Sequence, residues 1–155
     1  AGHCTIKDLT LKNVNVTSTH YAGAFVGYAS APVNLYNCKL EGGSVTSTPE
    51  LIGVKYDNGD KAGGLVGYAT DNGVIDNCVV DGVTVKAYRD LGGVAGAYKG
   101  TIKNCTVKNS KIIQDNTNGY QTSVTTYSAI LGRDLGATTL QNNTATENVE
   151  VKSEN

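Results

Sequence analysis

The chain has 155 residues, of which 39% are hydrophobic and 19 are glycine. Its 13 basic and 14 acidic residues nearly cancel, which excludes a highly charged disordered chain and argues against a dedicated nucleic-acid or anionic-membrane surface. No apolar run approaches the roughly 20 residues that cross a bilayer, so we expect no membrane insertion. Because β-branched residues are common and helix formers scarce, the composition predicts one all-β domain over residues 1–155.

The chain opens on Ala1-Gly2 and contains no methionine. A complete translation product starts with methionine, so we expect a processed chain or a module excised from a longer protein. The first repeat described below has no glycine-rich unit before it. We therefore expect a neighbouring domain on the N-terminal side.

A short segment recurs along the chain and predicts a repeat architecture. Its best-matched copies begin at Thr5, Val74 and Thr101, a fourth begins at Leu35, and a weaker fifth begins at Leu140. A glycine-rich unit precedes four of these copies, at 22–29, 62–69, 91–98 and 128–133. Repeats of this length are typical of stacked solenoids and propeller-like arrays.

The apolar residues within a repeat are separated by alternating steps of three and two positions, as at Ile6, Leu9, Leu11, Val14 and Val16. A step of two indicates strand alternation, and a step of three needs an extra residue that turns a corner. Glycine, asparagine and aspartate tolerate the left-handed backbone conformation of a sharp bend. The first corner carries Asp8, Asn37, Asn77, Asn104 and Asn142, and the second carries Asn13, Gly42, Gly82 and Asn109.

Short strands separated by bends predict a right-handed parallel β-helix, a solenoid of roughly four to five coils. Equivalent residues then stack in rows about 4.8 Å apart. We expect the first-corner residues to form an internal ladder of side-chain hydrogen bonds between successive repeats.

Three of the four cysteines share one inward row, namely Cys38, Cys78 and Cys105. Leu9 occupies the equivalent position of the first repeat. Leucine at that position indicates that the site accepts a small-to-medium apolar side chain, and a buried cysteine meets the same requirement. Side chains that point in the same direction have poor geometry for a disulfide bond. The sequence also contains no CxxC motif and no histidine pair that would indicate a zinc site. We therefore expect a reduced packing row and a free thiol at Cys4.

The unit GLVG at 64–67, followed by Asn77-Cys78, resembles the GLUG motif, a repeat of bacterial cell-surface and secreted proteins. The copy at 23–28 departs from the motif at its leading glycine–leucine pair, and those at 93–96 and 129–132 are looser. The resemblance implies an adhesin-like or structural β-helical domain of a secreted or cell-surface protein. It implies no catalytic residues, and we expect no cofactor.

Two outward rows combine acids with lysines and raise an alternative, a carbohydrate-active β-helix enzyme or a fragment of one. The rows are Lys12, Glu41, Asp81 and Lys108, and Lys7, Tyr36, Asp76, Lys103 and Gln141. Polysaccharide lyases and hydrolases need paired acids, or calcium with a basic residue nearby. Each row carries both positive and negative charges, which favours a solvent-exposed ladder of ion pairs over a catalytic site. Neither Arg89 nor Arg133 falls on an acidic row.

Two insertions, 46–61 and 114–127, interrupt the same corner in different repeats and predict one loop edge. The tyrosines in or beside this edge are Tyr21, Tyr56, Tyr88, Tyr120 and Tyr127. Tyrosine suits sugar stacking and polar protein contacts, so we expect a site for a host glycan, a host protein or a cell-envelope component. The alternative is that the tyrosines only cover the core edge. Asp57 and Asp60 are further candidate contacts, although their turn has too few ligands for a firm calcium assignment.

Overall fold

The computed structural model describes residues 2–48, 61–116 and 126–154. Within these ranges the chain forms β-strands and no helix, so the predicted all-β class is correct. The strands in chain order are β1 (Cys4–Lys7), β2 (Thr10–Ser18), β3 (Tyr21–Gly23), β4 (Val26–Ala29), β5 (Val33–Tyr36), β6 (Lys39–Ser47), β7 (Lys61–Gly63), β8 (Val66–Asp76), β9 (Val79–Asp81), β10 (Thr84–Ala87), β11 (Asp90–Gly92), β12 (Ala95–Lys103), β13 (Thr106–Lys108), β14 (Lys111–Asp115), β15 (Thr126–Ser128), β16 (Leu131–Asp134), β17 (Thr139–Gln141), β18 (Thr144–Ala145) and β19 (Glu150–Glu154).

The strands associate in three parallel sheets, and neighbours in a sheet come from successive repeats. One sheet contains β1, β4, β5, β8, β12, β16 and β17, the second contains β2, β6, β9, β10, β13, β14, β18 and β19, and the third contains β3, β7, β11 and β15. The first repeat contributes β1 and β2 to the first and second sheets, and each later repeat contributes strands to all three sheets in turn. This arrangement of parallel sheets fits the β-helix-like class that the repeat pattern predicts.

Three apolar rows, which we call the inner rows, run through the stack. They are Ile6, Leu35, Ile75, Ile102 and Leu140; Leu11, Leu40, Val80, Val107 and Ala145; and Val16, Val45, Val85, Ile112 and Val151. The three middle members of every row are 0% exposed. A core built from rows one side chain deep needs few large apolar residues, which explains the composition.

The corner residues adopt the left-handed conformation at all nine predicted positions, with φ between 50° and 72°. Asn37 Nδ2 donates to Asp8 Oδ1 at 3.0 Å, Asn77 Nδ2 donates to Asn37 Oδ1 at 2.8 Å, and Asn142 Nδ2 donates to Asn104 Oδ1 at 3.4 Å. Asn104 departs from the expected ladder, because its Nδ2 donates to Asp76 Oδ1 at 2.8 Å instead.

The first-corner ladder lies on the outside of the stack, so the expectation of an internal ladder is wrong. All five of its residues are exposed. The reason is the alternation of the chain: the corner residue takes the outward position, and the residue after it turns back to the core.

The cysteine row occupies that inward position, and all four cysteines of the chain are free thiols. The Cys38, Cys78 and Cys105 side chains are 0%, 1% and 0% exposed. Each thiol donates to the carbonyl two residues earlier, at 3.4, 3.3 and 3.2 Å respectively. Leu9 differs from the expected inward residue, because it is 42% exposed. It lies in the first repeat, where the described strands β1 and β2 have a neighbour on one side only.

We expect one thiol per folded chain, that of the exposed Cys4, to react rapidly with a chromogenic disulfide reagent. Burial raises the pKa of the Cys38 thiol, and hydrogen bonding to Cys105 together with burial raises that of Cys78. The same hydrogen bond lowers the pKa of Cys105, but its side chain is 0% exposed, so burial shields this thiol from the reagent. All four thiols should react in denaturant. The Cys4→Ser variant should show no rapid reaction, and a rapid thiol in that variant would contradict the buried row.

Two substitutions at Asn77 separate the contribution of the left-handed corner conformation to stability from that of the ladder hydrogen bonds. We expect Asn77→Ala to be less stable than Asn77→Gly by about 1 kcal/mol, because alanine carries a Cβ at a left-handed φ. At Thr106, in strand β13 where φ is not positive, the order should reverse, because glycine weakens a strand. Free energies of unfolding in urea measure all four variants. The same order at both positions would show that the corner conformation does not set the stability.

Candidate functional site

Tyr21, Tyr28 and Tyr68 form an aromatic cluster on the outside of the stack, which we call the tyrosine cluster. Tyr28 and Tyr68 are register partners in β4 and β8, and Tyr21 is the first residue of β3. The ring centroids lie 4.9 Å apart for Tyr21 and Tyr68, and 5.5 Å apart for each pair with Tyr28. Tyr28 is 53% exposed and presents the open side of the cluster. Aromatic pairs at such distances stabilise one another by about 0.5–1.5 kcal/mol, so the rings hold each other in place.

Close backbone packing at Gly67 positions the cluster. A Cβ on Gly67 would lie 2.6 Å from the carbonyl oxygen of Gly27 and 2.8 Å from that of Ala22. Real side chains do not tolerate such distances, so only glycine lets β8 approach β3 and β4 this closely. Ala22 follows Tyr21 and Gly67 precedes Tyr68, and the close approach therefore brings these two rings together.

A buried ion pair lies beneath the tyrosine cluster. Lys61 Nζ is 5.6 Å from the Tyr21 ring centroid, 5.2 Å from that of Tyr68, and 3.4 Å from Asp90 Oδ2. Lys61 is 5% exposed and Asp90 is 0% exposed. Burial lowers the pKa of Lys61, while the carboxylate of Asp90 acts in the opposite direction. Both rings lie within the range of a cation–π interaction, so Lys61 links the aromatic and the charged parts of the site.

Asp90 has further polar contacts from the C-terminal part of the stack. Thr126 Oγ1 donates to Asp90 Oδ1 at 2.9 Å, and Arg133 Nη1 lies 3.8 Å from Asp90 Oδ2. The sequence placed Arg133 away from every acidic row, yet its side chain reaches Asp90 from a neighbouring row. One carboxylate therefore lies between two basic side chains, Lys61 and Arg133.

The expected loop edge is only partly assembled in the described residues. Tyr21 belongs to the cluster, but Tyr88 is 3% exposed and is wrong as a surface contact. It lies in the two-residue corner between β10 and β11, where the short connection leaves it packed inside. Tyr127 is 37% exposed and pairs with Leu91, one register position away from the row that Tyr21 begins. Because successive residues face opposite sides of a strand, Tyr127 and Tyr21 do not converge.

Four of the predicted site residues, Tyr56, Asp57, Asp60 and Tyr120, lie outside the described residues. In residues 2–48, 61–116 and 126–154, no group of three or more histidine, cysteine, aspartate or glutamate side chains is placed to hold a metal ion.

Tyr28, Tyr68, Lys61 and Asp90 are members of the site that the sequence pattern did not predict. A signal was present, because a tyrosine follows the last glycine of the unit in two repeats, as Gly27-Tyr28 and Gly67-Tyr68. The residues that directly precede the glycine-rich unit also align in register, as Tyr21, Lys61 and Asp90. Extending the row alignment from the corners to the glycine-rich unit would have revealed both rows.

The two charged rows have the predicted register, and their acids are engaged with lysines. Lys12 Nζ lies 3.1 Å from Glu41, Lys108 Nζ lies 3.2 Å from Asp81, and Lys103 Nζ lies 3.3 Å from Asp76. Hydrogen bonds from Asn109 and Lys108 lower the pKa of Asp81, and those from Asn104 and Lys103 lower the pKa of Asp76. These acids therefore serve the stack as ionised acceptors between neighbouring repeats.

Comparison with known proteins identifies one segment of the repeat. The family model of the GLUG motif matches residues 61–86, a segment that contains Lys61, the glycine-rich unit, Tyr68 and the Asn77-Cys78 corner. No curated protein and no solved structure shows significant similarity to the chain. In the described part of the chain, no helix has the length and apolarity to cross a membrane. The resemblance found in the sequence is confirmed at residues 61–86, which carry the GLUG motif.

Proposed function

We propose that this chain is a right-handed parallel β-helix of about four to five coils that acts as a non-catalytic binding module of a secreted or cell-surface bacterial protein. The GLUG motif supports a β-helical module of a bacterial protein. Right-handedness follows the rule that governs crossovers between parallel strands. The alternation of three parallel sheets along the chain supports a coil for each repeat.

The tyrosine cluster is the observation that carries the binding role. Tyr28 is 53% exposed while its ring packs against two other rings. The cluster rests on strands that Gly67 holds at backbone contact distance. A large amphipathic surface on a rigid scaffold loses little conformational entropy when a ligand binds, which is the property that favours tyrosine at binding sites.

A glycan is the ligand class that fits this surface best among a host glycan, a host protein and a cell-envelope component. Sugar rings stack on tyrosine faces, and polar groups beside the rings recognise hydroxyl or carboxylate substituents. Arg133 is two register positions from Tyr68 through Ala97, a separation of about 10 Å. Its side chain is 42% exposed and carries a positive charge, which favours glycans that carry a carboxylate.

A glycan array with acidic and neutral polysaccharides, followed by calorimetry on the best ligand, tests this proposal. We expect Tyr28→Ala to weaken the affinity about tenfold or more, because an exposed aromatic anchor is lost. The matched control is Tyr127→Ala, which removes another exposed tyrosine outside the cluster and should change the affinity less than about twofold. Far-UV circular dichroism checks that both variants fold.

Three results would contradict the proposal. Unchanged affinity in Tyr28→Ala would exclude the tyrosine cluster as the site, and loss of binding only in Tyr56→Ala or Tyr120→Ala would place the site on the insertions. Release of new reducing ends from any polysaccharide would instead support the carbohydrate-active enzyme and exclude a non-catalytic module.

A further inference from the structure

One outward row joins the tyrosine cluster to an arginine on the surface of the stack. Tyr28, Tyr68, Ala97 and Arg133 are successive register partners in β4, β8, β12 and β16, and we call these four residues the tyrosine–arginine row. Neighbouring members lie about 4.8 Å apart, so the row spans about 14 Å. Tyr28 is 53% exposed and the Arg133 side chain is 42% exposed, so both ends of the row are open to solvent.

A buried carboxylate orients the arginine of this row. Arg133 Nη1 lies 3.8 Å from Asp90 Oδ2, and Asp90 is 0% exposed. This distance is too long for a hydrogen bond, so the ion pair directs the guanidinium without occupying its N–H donors. A guanidinium held in this way can use its donors to bind an anionic group at the surface.

Two charged neighbours of Arg133 are already engaged within the chain. Lys61 is 5% exposed, and its Nζ lies 3.4 Å from Asp90 Oδ2. The Asp134 carboxylate accepts hydrogen bonds from two backbone N–H groups of the turn that follows β16, at 2.8 and 3.0 Å. Arg133 therefore supplies the positive charge that a ligand can reach.

We propose that the site binds a linear acidic glycan, which lies along the tyrosine–arginine row and places a carboxylate at Arg133. This inference rests on the proposed glycan-binding function and adds the direction, the length and the charge of the ligand. Tyr28 and Tyr68 belong to neighbouring strands, so a glycan that contacts both rings must cross the strands. One sugar of an extended glycan is close in length to the strand spacing of about 4.8 Å, so one sugar falls on each position of the row.

Four sugars therefore fill the row, one for each of its register partners. The first two stack on the rings of Tyr28 and Tyr68. The third passes over Ala97, whose methyl group presents no obstacle, and the fourth brings its carboxylate to Arg133. A guanidinium can donate two parallel hydrogen bonds to the two oxygens of a carboxylate, so an arginine at this position favours an acidic sugar.

The cation beneath the rings favours the same ligand charge. Lys61 Nζ lies 5.6 Å from the ring centroid of Tyr21 and 5.2 Å from that of Tyr68, and Lys61 is buried. A cation attracts the π electrons of a ring towards itself. The outer ring faces are therefore less attractive to a second cation, and an acidic sugar is preferred over an amino sugar.

Calorimetry with two families of acidic oligosaccharides and their neutral counterparts tests the charge and the length of the ligand. The families are β-1,4-linked oligomannuronates with manno-oligosaccharides, and α-1,4-linked oligogalacturonates with galacto-oligosaccharides, in chains of two to six sugars. In the family that binds, we expect the affinity to rise up to four sugars and then to level off, because the row is then filled. The acidic tetrasaccharide should bind at least about tenfold more tightly than the neutral one, and added salt should reduce this difference.

Three variants assign the two ends of the ligand. Arg133→Gln should remove the preference for the acidic tetrasaccharide and leave the affinity for the neutral one within about twofold. Lys111→Gln, the matched control, removes the same charge from an exposed lysine of β14 in the second sheet and should leave both affinities unchanged. Tyr28→Ala should lower the length at which the affinity levels off from four sugars to three, because the first stacking position is lost.

Equal affinity for the acidic and neutral chains in both families would overturn the inference, and so would a loss in Arg133→Gln that is the same for both. An affinity that levels off at two sugars would overturn the orientation along the row. In each case, Tyr28-dependent binding of a neutral glycan would leave the proposed function intact, whereas the absence of any Tyr28-dependent glycan would overturn both. The wild-type comparison decides the ligand charge even where Arg133→Gln does not fold.

Discussion

The backbone hydrogen bonding between parallel strands is the constraint on which the rest of the structure depends. Each repeat must lie about 4.8 Å from the next with its strands in register. The neighbours of a residue along its row are therefore the residues at the equivalent position of adjacent repeats. This explains why the inner rows consist of similar apolar side chains and why left-handed corner residues recur at each bend. It also explains why polar side chains, such as Asn37 and Asn77, find their partners in the row rather than along the chain.

Glycine serves this constraint in two physically different ways. Gly42 and Gly82 occupy left-handed corners, and asparagine occupies the same corner in other repeats because both residue types tolerate the conformation. Gly67 lies instead at a contact between sheets, where a Cβ would collide with backbone atoms of Gly27 and Ala22. The second use has a functional consequence, because it brings Tyr21 and Tyr68 together and gives the proposed binding surface a rigid base.

The sequence by itself determined the all-β class, the corners and the buried cysteine row, because these depend on local backbone preference and on an offset that repeats in every copy. Asn77 and Cys78 show this, because the left-handed φ of Asn77 and the burial of Cys78 follow from their positions in the repeat alone. The tertiary structure decided what depends on the surroundings: the exposure of Leu9 in the first repeat, the burial of Tyr88 in a short corner, and the outward position of the ladder. It also decided the meeting of Lys61, Asp90 and Arg133 beside the tyrosine cluster. Lys61 and Asp90 are register partners, but Arg133 comes from another row. Side-chain contacts between rows follow from the packing of strands around a corner, which no spacing in a single sequence encodes.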